Sequence, residues 1–161
     1  MRRHRREAAD CELLLVCSAG GHLLQLWMLA DVWRHRPHAW VTLAREDALS
    51  LLAGEQVVFA HGPTTRNLAN LARNLFLAWR VVRSMRPRIL LTTGAGVAVP
   101  FAWIARLHGA TVVYVESLTR VERPSLSCRL IAPVAGRIYA QWPDLTRSLS
   151  RARFVGNVLG P

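Results

Sequence analysis

Short apolar runs alternate along this chain with longer segments in which apolar residues recur at helical spacing. The clearest run is 13–16, which is apolar at every position. The small residues 18–21 follow it, and Leu23, Leu26, Trp27 and Ala30 then recur with the period of a helix. A strand that is apolar on both faces is typical of the interior of a parallel sheet, because helices must cover both sides. The pattern therefore predicts a buried strand, a tight turn and a helix.

The rest of the chain repeats this alternation. It predicts strands at 38–43, 56–60, 88–91, 111–115, 137–140 and 153–155, and helices at 47–53, 66–85, 97–107 and 126–131. Strands and helices that alternate with short connections indicate an α/β fold, a Rossmann-like, doubly wound and mostly parallel sheet. At 161 residues we expect a basic disordered tail at 1–10 and a single domain at 11–161.

The charge balance points to an anionic partner. The chain has 21 basic residues, all of them arginine, and 10 acidic residues, which gives a formal net charge of +11. Phospholipid, a phosphorylated or nucleotide substrate, and nucleic acid all fit such a surface. The sequence has no recognised nucleic-acid module, so we expect no nucleic-acid partner. Cys11, Cys17 and Cys128 have neither metal-ligand spacing nor a disulfide pattern, so we expect no metal, a reducing cytosol, and a Cys17 that packs as a small buried hydrophobe.

We expect attachment to a membrane to be peripheral. No stretch approaches the roughly 18 apolar residues that cross a bilayer. Arginines at positions 2, 3, 5 and 6 resemble the start of a signal peptide, but the apolar run that follows is too short for one. The tail is either a disordered extension or an electrostatic tether to anionic lipid.

Three stretches are expected to meet at the rim where the parallel strands end. They are 18–22, 92–96 and 116–117, and the first two are glycine-rich turns that offer backbone N–H groups to an anion. Each alone is better explained as a tight turn, and neither is a phosphate-loop or dinucleotide motif. Their convergence favours a binding site. We expect substrate contacts from Ser18, Ala19, Gly20, Gly21, Thr93, Gly94, Ala95, Gly96, Ser117 and Arg120.

His22 and Glu116 are the candidate catalytic residues at this rim. His22 could act as a general base towards an acceptor hydroxyl, or bond the backbone at a helix start. Glu116 could orient His22 or bond a sugar hydroxyl, or accept from N–H groups of the neighbouring loop. Arg120 could contact a phosphate or remain a solvated side chain.

The helix predicted at 66–85 is strongly basic. Residues 66–88 contain six arginines and no acid. At helical spacing Leu68, Leu71, Leu75, Ala78 and Val82 share one face, which we expect the sheet to bury. Apolar bulk and arginines outside that face favour contact with anionic lipid, through Arg73, Phe76, Leu77, Trp79, Arg80 and Arg83. A wide core stripe with a solvated basic back is the alternative.

Several of these motifs together resemble a known family. They are 17–22, 40–42, 62–67, 93–96, 115–117 and 141–143. They look like the PssD-type polysaccharide biosynthesis proteins of bacteria, which are similar to the membrane-side subunit of the eukaryotic two-subunit transferase that adds the second GlcNAc to dolichol-linked glycan. A more distant likeness is to the amino-terminal half of MurG, whose first glycine loop also ends in Gly-His.

The resemblance implies the amino-terminal, acceptor-side half of a GT-B glycosyltransferase. It implies a metal-independent, inverting transfer from a UDP-sugar to a polyprenyl-diphosphate-linked acceptor, with a separate PssE-type chain binding the donor. His22 would be the base, and Glu116 and the glycine loops would line the acceptor side. The chain would lie peripherally on the cytoplasmic face of the cell membrane, without a cofactor, and its predicted last strand has no closing helix, which leaves surface for the partner.

Two other functions remain open at this point. The chain could be a non-catalytic anchor and activator of a partner that holds all the chemistry. It could also be a cytosolic nucleotide-binding protein that uses the glycine loops alone.

Overall fold

The computed structural model describes residues 11–64 and 67–160. The strands are β1 Leu13–Val16, β2 His38–Leu43, β3 Val57–Ala60, β4 Ile89–Thr92, β5 Thr111–Val115, β6 Arg137–Ala140 and β7 Ala152–Phe154. The helices are α1 Gly21–Met28, α2 Ala30–Trp33, α3 Glu46–Leu51, α4 Leu68–Met85, α5 Ala98–Leu107, α6 Leu126–Ile131 and α7 Leu145–Ser148. The predicted tail at 1–10 and the predicted first residue of the long helix, Arg66, lie outside the described residues.

The strands form one sheet in the order β3-β2-β1-β4-β5-β6-β7, and all neighbouring pairs are parallel. The predicted doubly wound sheet is confirmed. Chain order reverses between β1 and β4, where Val16 lies beside Thr92. Open α/β sheets bind ligands at such a switch point. The turns after β1 and β4 are therefore neighbours.

Helices cover both faces of the sheet because successive residues of a strand point to opposite sides. Leu14 and Val16 pack in one core with α4, α5 and α6. Leu13, Leu15 and Cys17 pack in the other core with α1, α2 and α3. The wholly apolar run 13–16 thus fills two cores at once, as its sequence predicted.

The predicted buried face of α4 is wrong over its first two turns. Asn70 and Asn74 face inward and are 5% and 1% exposed, whereas Leu68, Leu71 and Leu75 are exposed. The Asn74 amide donates to the His61 carbonyl oxygen at 2.9 Å and accepts from the His61 N–H at 2.8 Å. Asn70 donates to the carbonyl oxygen of Pro63. The backbone of the β3–α4 loop needs partners when it is buried, so amides occupy this face and the leucines turn outward.

Candidate active site

The imidazole of His22 is fixed by the turn after β4. His22 is the second residue of α1, directly beyond Gly20 and Gly21, and its Nδ1 lies 2.8 Å from the Thr93 carbonyl oxygen. A carbonyl oxygen only accepts hydrogen bonds, so this contact assigns the ring proton to Nδ1 and the lone pair to Nε2. In return the Thr93 hydroxyl donates to the His22 carbonyl oxygen at 2.7 Å. His22 thus bonds the backbone and also presents a basic nitrogen.

A cleft of about 670 Å³ opens beside His22, between the first turns of α4, α5 and α6. Its polar lining comes from His22, from Thr64 and Asn67 ahead of α4, and from the side chains that follow β5 and begin α6, namely Ser117, Thr119, Arg120, Ser125 and Ser127. Its apolar lining comes mainly from Leu68, Leu71, Val99, Leu126 and Leu130. Two of the exposed leucines of α4, Leu68 and Leu71, therefore form part of the cleft wall. Such a lining suits a ligand that has both a polar and an apolar part.

Glu116 does not orient His22, so that hypothesis is wrong. The Glu116 side chain is fully buried, and it does not line the cleft. Its Oε1 accepts from the Ser117 N–H at 2.8 Å, and its Oε2 accepts from the Ser125 N–H at 2.8 Å. The alternative function, acceptance from N–H groups of the neighbouring loop, is the one that the structure supports.

The glycine loops use several of their N–H groups internally. Gly20 donates to the Asp47 carboxylate, Gly94 to the Thr92 hydroxyl at 2.9 Å, and Ala95 to the Ser127 hydroxyl at 3.3 Å. The expectation that these three groups are open to an anion is therefore wrong. Gly94 is required for two reasons: its φ is +102°, and a Cβ there would lie 2.5 Å from the Tyr114 hydroxyl oxygen.

The predicted substrate-binding residues separate into two groups. The first group lines the cleft with His22 and comprises Ala95, Gly96, Ser117 and Arg120. The second group does not line the cleft and comprises Ser18, Ala19, Gly20, Gly21, Thr93 and Gly94. The turn after β1 thus positions His22, while the turns after β4 and β5 form the cleft wall.

Sequence reasoning missed two kinds of residue at this site. Tyr114, Ser125 and Ser127 form a partly buried hydroxyl network with O···O distances of 3.0 to 3.1 Å. Gln25 is 4% exposed and binds the backbone just beyond β5. A polar residue between the buried Leu23 and Leu26 was the available signal for Gln25. The hydroxyl network left no periodic signal, because its members join only in the fold.

Burial changes the acidity of three groups near the sheet. It raises the pKa of Cys17 to about 12. It also raises the pKa of Tyr114 and of Cys128, and the neighbouring Glu116 carboxylate adds to both shifts. All three groups therefore remain protonated at neutral pH, and Cys17 packs as the expected small hydrophobe in the core beside α1.

The outer face of α4 carries an exposed aromatic pair. The rings of Phe76 and Trp79 stack with centroids 6.0 Å apart, and the Arg83 guanidinium lies 5.3 Å from the Trp79 ring centroid. Arg73 and Arg80 are also exposed, whereas Leu77 packs partly against the core. None of the helices described here is both long and apolar enough to cross a bilayer.

A second, largely apolar cleft of about 600 Å³ lies on the opposite face of the sheet. Its floor is formed by Leu91, Val113, Val115 and Tyr139, and its sides by α1–α2 residues and the segment 155–160. The helices α1, α2 and α3 pack mainly over β1 and β2, so this face of β4 to β6 is less covered than the other.

Known proteins share both the sequence and the fold. A protein-family model described as "Oligosaccharide biosynthesis protein Alg14 like" matches residues 60–158. A protein of Candida albicans named UDP-N-acetylglucosamine transferase subunit ALG14 is 24% identical over 97% of this chain and 82% of its own length. Its namesake in Eremothecium gossypii is 34% identical over 79% of this chain and 61% of its own length.

Among solved structures, MurG of Acinetobacter baumannii superposes with a TM-score of 0.72 at 16% identity, over 89% of this chain and 45% of MurG. The predicted fold, a Rossmann-like doubly wound sheet like that of one half of a GT-B glycosyltransferase, is confirmed. The resemblance to the subunit of a two-component glycosyltransferase is confirmed at the level of the family. Since the matching model spans well over half of the sequence, the chain belongs to the Alg14-like family of oligosaccharide biosynthesis proteins.

Proposed function

We propose that this chain is the acceptor-binding, membrane-recruiting subunit of a two-component glycosyltransferase. The transferred sugar comes from a UDP-sugar of the GlcNAc, GlcA or Gal type, and the acceptor is a glycan linked to polyprenyl diphosphate. The observation that carries this proposal is the His22 imidazole, with its lone pair on Nε2, in the lining of a cleft that also contains hydroxyl groups, an arginine and several leucines.

The chemistry assigned to His22 is general-base catalysis. Nε2 takes the proton of an acceptor hydroxyl while that oxygen forms a bond to the anomeric carbon of the donor. The bond between that carbon and the UDP oxygen breaks, and UDP leaves with the electron pair. Positioned bases contribute about 10²- to 10⁴-fold to such reactions. The Thr93 carbonyl supports this function because it fixes the tautomer and stabilises the imidazolium that forms.

The polar and the apolar lining residues of the cleft suit the two parts of the proposed acceptor. Arg120 and the hydroxyls of Ser117, Thr119 and Ser127 would bind the diphosphate, since a guanidinium forms paired hydrogen bonds with phosphate oxygens. Leucines of α4 and α6 would contact the first isoprene units of the lipid. Burial of such chains contributes about 0.8 kcal/mol for each methylene group.

The aromatic pair on α4 supports contact with the cytoplasmic face of the cell membrane. Phe76 is 61% and Trp79 is 41% exposed, and Arg73, Arg80 and Arg83 surround them. Aromatic rings settle at the headgroup level of a bilayer, and each nearby arginine adds about 1 kcal/mol of attraction to anionic lipid.

The donor-binding half would come from a PssE-type partner. The apolar cleft on the opposite face of the sheet supports this, because an apolar surface of this extent is typical of protein interfaces. The partner would also have to extend over the carboxyl ends of the strands, so that its UDP-sugar faces His22.

The test is a transfer assay with the reconstituted pair. UDP-GlcNAc, UDP-GlcA and UDP-Gal are offered in turn with undecaprenyl-diphosphate-linked GlcNAc in liposomes. The proposal expects transfer by the complex and none by either chain alone. Full activity of a His22→Ala complex would assign all the chemistry to the partner and leave this chain a non-catalytic anchor. Transfer by this chain alone in lipid-free buffer would refute the two-component proposal.

A further inference from the structure

One part of the cleft lining is a segment with little regular structure of its own. Residues 117–125 connect β5 to α6 and are here termed the strap. Ser117, Thr119, Arg120 and Ser125 of the strap line the cleft. A loop without a strand ladder needs other hydrogen-bond partners to hold one position. Some of these bonds lie within the strap, where the Arg120 N–H donates to the Ser117 carbonyl oxygen. Others come from the side chains of other elements: Trp142 donates to the Leu118 carbonyl oxygen at 2.7 Å and Ser148 to the Glu122 carbonyl oxygen at 2.6 Å, and Gln25 and Glu116 provide the remainder.

Gln25 binds the beginning of the strap at two points. Its Nε2 donates to the Glu116 carbonyl oxygen at 2.7 Å, and its Oε1 accepts from the Leu118 N–H at 3.1 Å. An amide is suited to this contact because it donates and accepts at once. Gln25 lies three positions beyond His22 on α1, so the helix that carries the candidate base also anchors the strap.

The Glu116 carboxylate joins the two ends of the strap. Besides the N–H groups of Ser117 and Ser125, it accepts from the hydroxyl of Ser125 at 3.1 Å and of Tyr114 at 3.3 Å. Four donors compensate the loss of hydration of a fully buried carboxylate. Only an acceptor with two oxygens can bond both ends in this way. A buried charge thus closes the loop that carries Arg120.

We propose that Gln25 and Glu116 are positioning residues that hold the strap, and with it Arg120, at the acceptor side of the cleft. This inference rests on the proposed function. Its consequence is specific to one substrate: loosening the strap weakens acceptor binding, while the tautomer of His22, set by Thr93, stays as it is.

Two substitutions of Gln25 separate the proposal from a general loss of stability. Gln25→Leu keeps a similar volume but removes both hydrogen bonds and leaves two buried backbone groups unpaired. Gln25→Glu retains an acceptor for the Leu118 N–H, and it regains a donor towards the Glu116 carbonyl oxygen only when the introduced carboxyl is protonated. Burial raises the pKa of such a carboxyl, so the donor returns as the pH falls.

The kinetic experiment uses the reconstituted complex with UDP-GlcNAc and undecaprenyl-diphosphate-linked GlcNAc. Gln25→Leu is expected to raise the acceptor KM about tenfold, as loss of buried hydrogen bonds predicts, with little change in the donor KM. For each variant, the acceptor KM is divided by that of wild type at the same pH. This ratio is expected to fall towards one for Gln25→Glu as the pH falls, and to stay constant for Gln25→Leu. An unchanged acceptor KM, or an equal rise for both substrates, would overturn the inference.

Amide hydrogen exchange of the same complex provides a readout that does not need activity. Gln25→Leu is expected to accelerate exchange in residues 117–125 and to leave the rest of the chain unchanged. Trp33→Phe is the matched control, because it removes another buried hydrogen bond, from Trp33 Nε1 to the Leu26 carbonyl oxygen, in the core away from the cleft. The control should alter neither the acceptor KM nor exchange in the strap.

The two failures are distinguishable. If the wild-type complex transfers no sugar, the proposed function fails. Hydrogen exchange in residues 117–125 then still tests whether Gln25 holds the strap. If transfer is normal but the strap exchanges no faster in Gln25→Leu than in wild type, this inference alone is overturned. A Ser125→Ala variant repeats the exchange test at the other end of the strap if Gln25→Leu does not fold.

Discussion

His22 and Thr93 hold each other through two hydrogen bonds although 71 positions separate them in the chain. The Thr93 carbonyl oxygen accepts from the imidazole, and the Thr93 hydroxyl donates to the backbone of His22. The pairing of β1 with β4 brings the two turns together, because Val16 and Thr92 are neighbours in the sheet. One contact therefore fixes the direction of the candidate base and joins the two glycine loops.

The first prediction concerns His22 itself. His22→Ala should lower sugar transfer by the reconstituted complex about 10²- to 10⁴-fold, because the general base is lost. The thermal midpoint should change little, since the ring is only partly buried. The control is His108→Ala, an exposed histidine at the end of α5, which should leave transfer unchanged. Equal rates for His22→Ala and wild type would exclude His22 as the base.

The second prediction separates the two hydrogen bonds of Thr93. Thr93→Val keeps the shape and the carbonyl but removes the hydroxyl donor to His22, at about 1 kcal/mol of stability or more because the site is buried. The rate of sugar transfer should fall together with the stability. Thr93→Ser, which keeps the hydroxyl, should retain both the stability and the transfer rate. Denaturant unfolding and the transfer assay measure the two effects. A Thr93→Ser variant as impaired as Thr93→Val would show that the hydroxyl is not the relevant group.

The third prediction concerns the membrane face of α4. Replacing Phe76 and Trp79 together by Asp should release the chain from liposomes that contain anionic lipid. The replacement removes the apolar contact and introduces two negative charges, which the anionic headgroups repel. Co-sedimentation measures the bound fraction. Leu49→Asp is the control, an equally exposed apolar residue on α3 in the other helical layer. Undiminished binding of the double variant would place the lipid contact elsewhere.

The fourth prediction compares two glycines with positive φ. Gly94→Ala and Gly109→Ala both force a side chain into the left-handed region, which costs about 1–2 kcal/mol. Only at Gly94 does the new Cβ meet another atom, the Tyr114 hydroxyl oxygen, so Gly94→Ala should lose about 1–3 kcal/mol more. Chemical denaturation measures both values. Equal losses of unfolding free energy would show that the Tyr114 side chain moves aside at no cost.

The fifth prediction concerns alkaline pH. Burial raises the pKa of Cys17 from its ordinary value of 9.0 to about 12 in the folded chain. The unfolded chain therefore releases this proton first, so the contribution of Cys17 to the free energy of unfolding should be constant below about pH 9 and fall as the pH rises towards 12. Denaturant unfolding at several alkaline pH values measures the slope. Cys17→Ala should reduce it, and an identical slope would show that Cys17 does not contribute.

Much of the fold was readable because it depends on local pattern. The apolar run at β1 could only be covered from both sides, and the arginine-proline pair after Met85 ended α4 where predicted. The inward face of α4 was not readable. Helical spacing placed Leu71 and Leu75 on the buried face. In the structure Asn70 and Asn74 occupy that face, because they form hydrogen bonds with the backbone of a loop that only the tertiary fold brings there.

By itself, the sequence determined the α/β alternation, the glycine turns and the position of His22 beside them, because chain stiffness and hydrophobic period act over a few residues. Only the tertiary structure decided what each polar group does. In the folded chain the Thr93 carbonyl oxygen accepts from His22, and the Glu116 carboxylate accepts from the strap. Leu68 and Leu71 of α4 line the cleft. The physical reason is that a buried polar group must find a partner, and its partner is set by which strands are neighbours in the sheet.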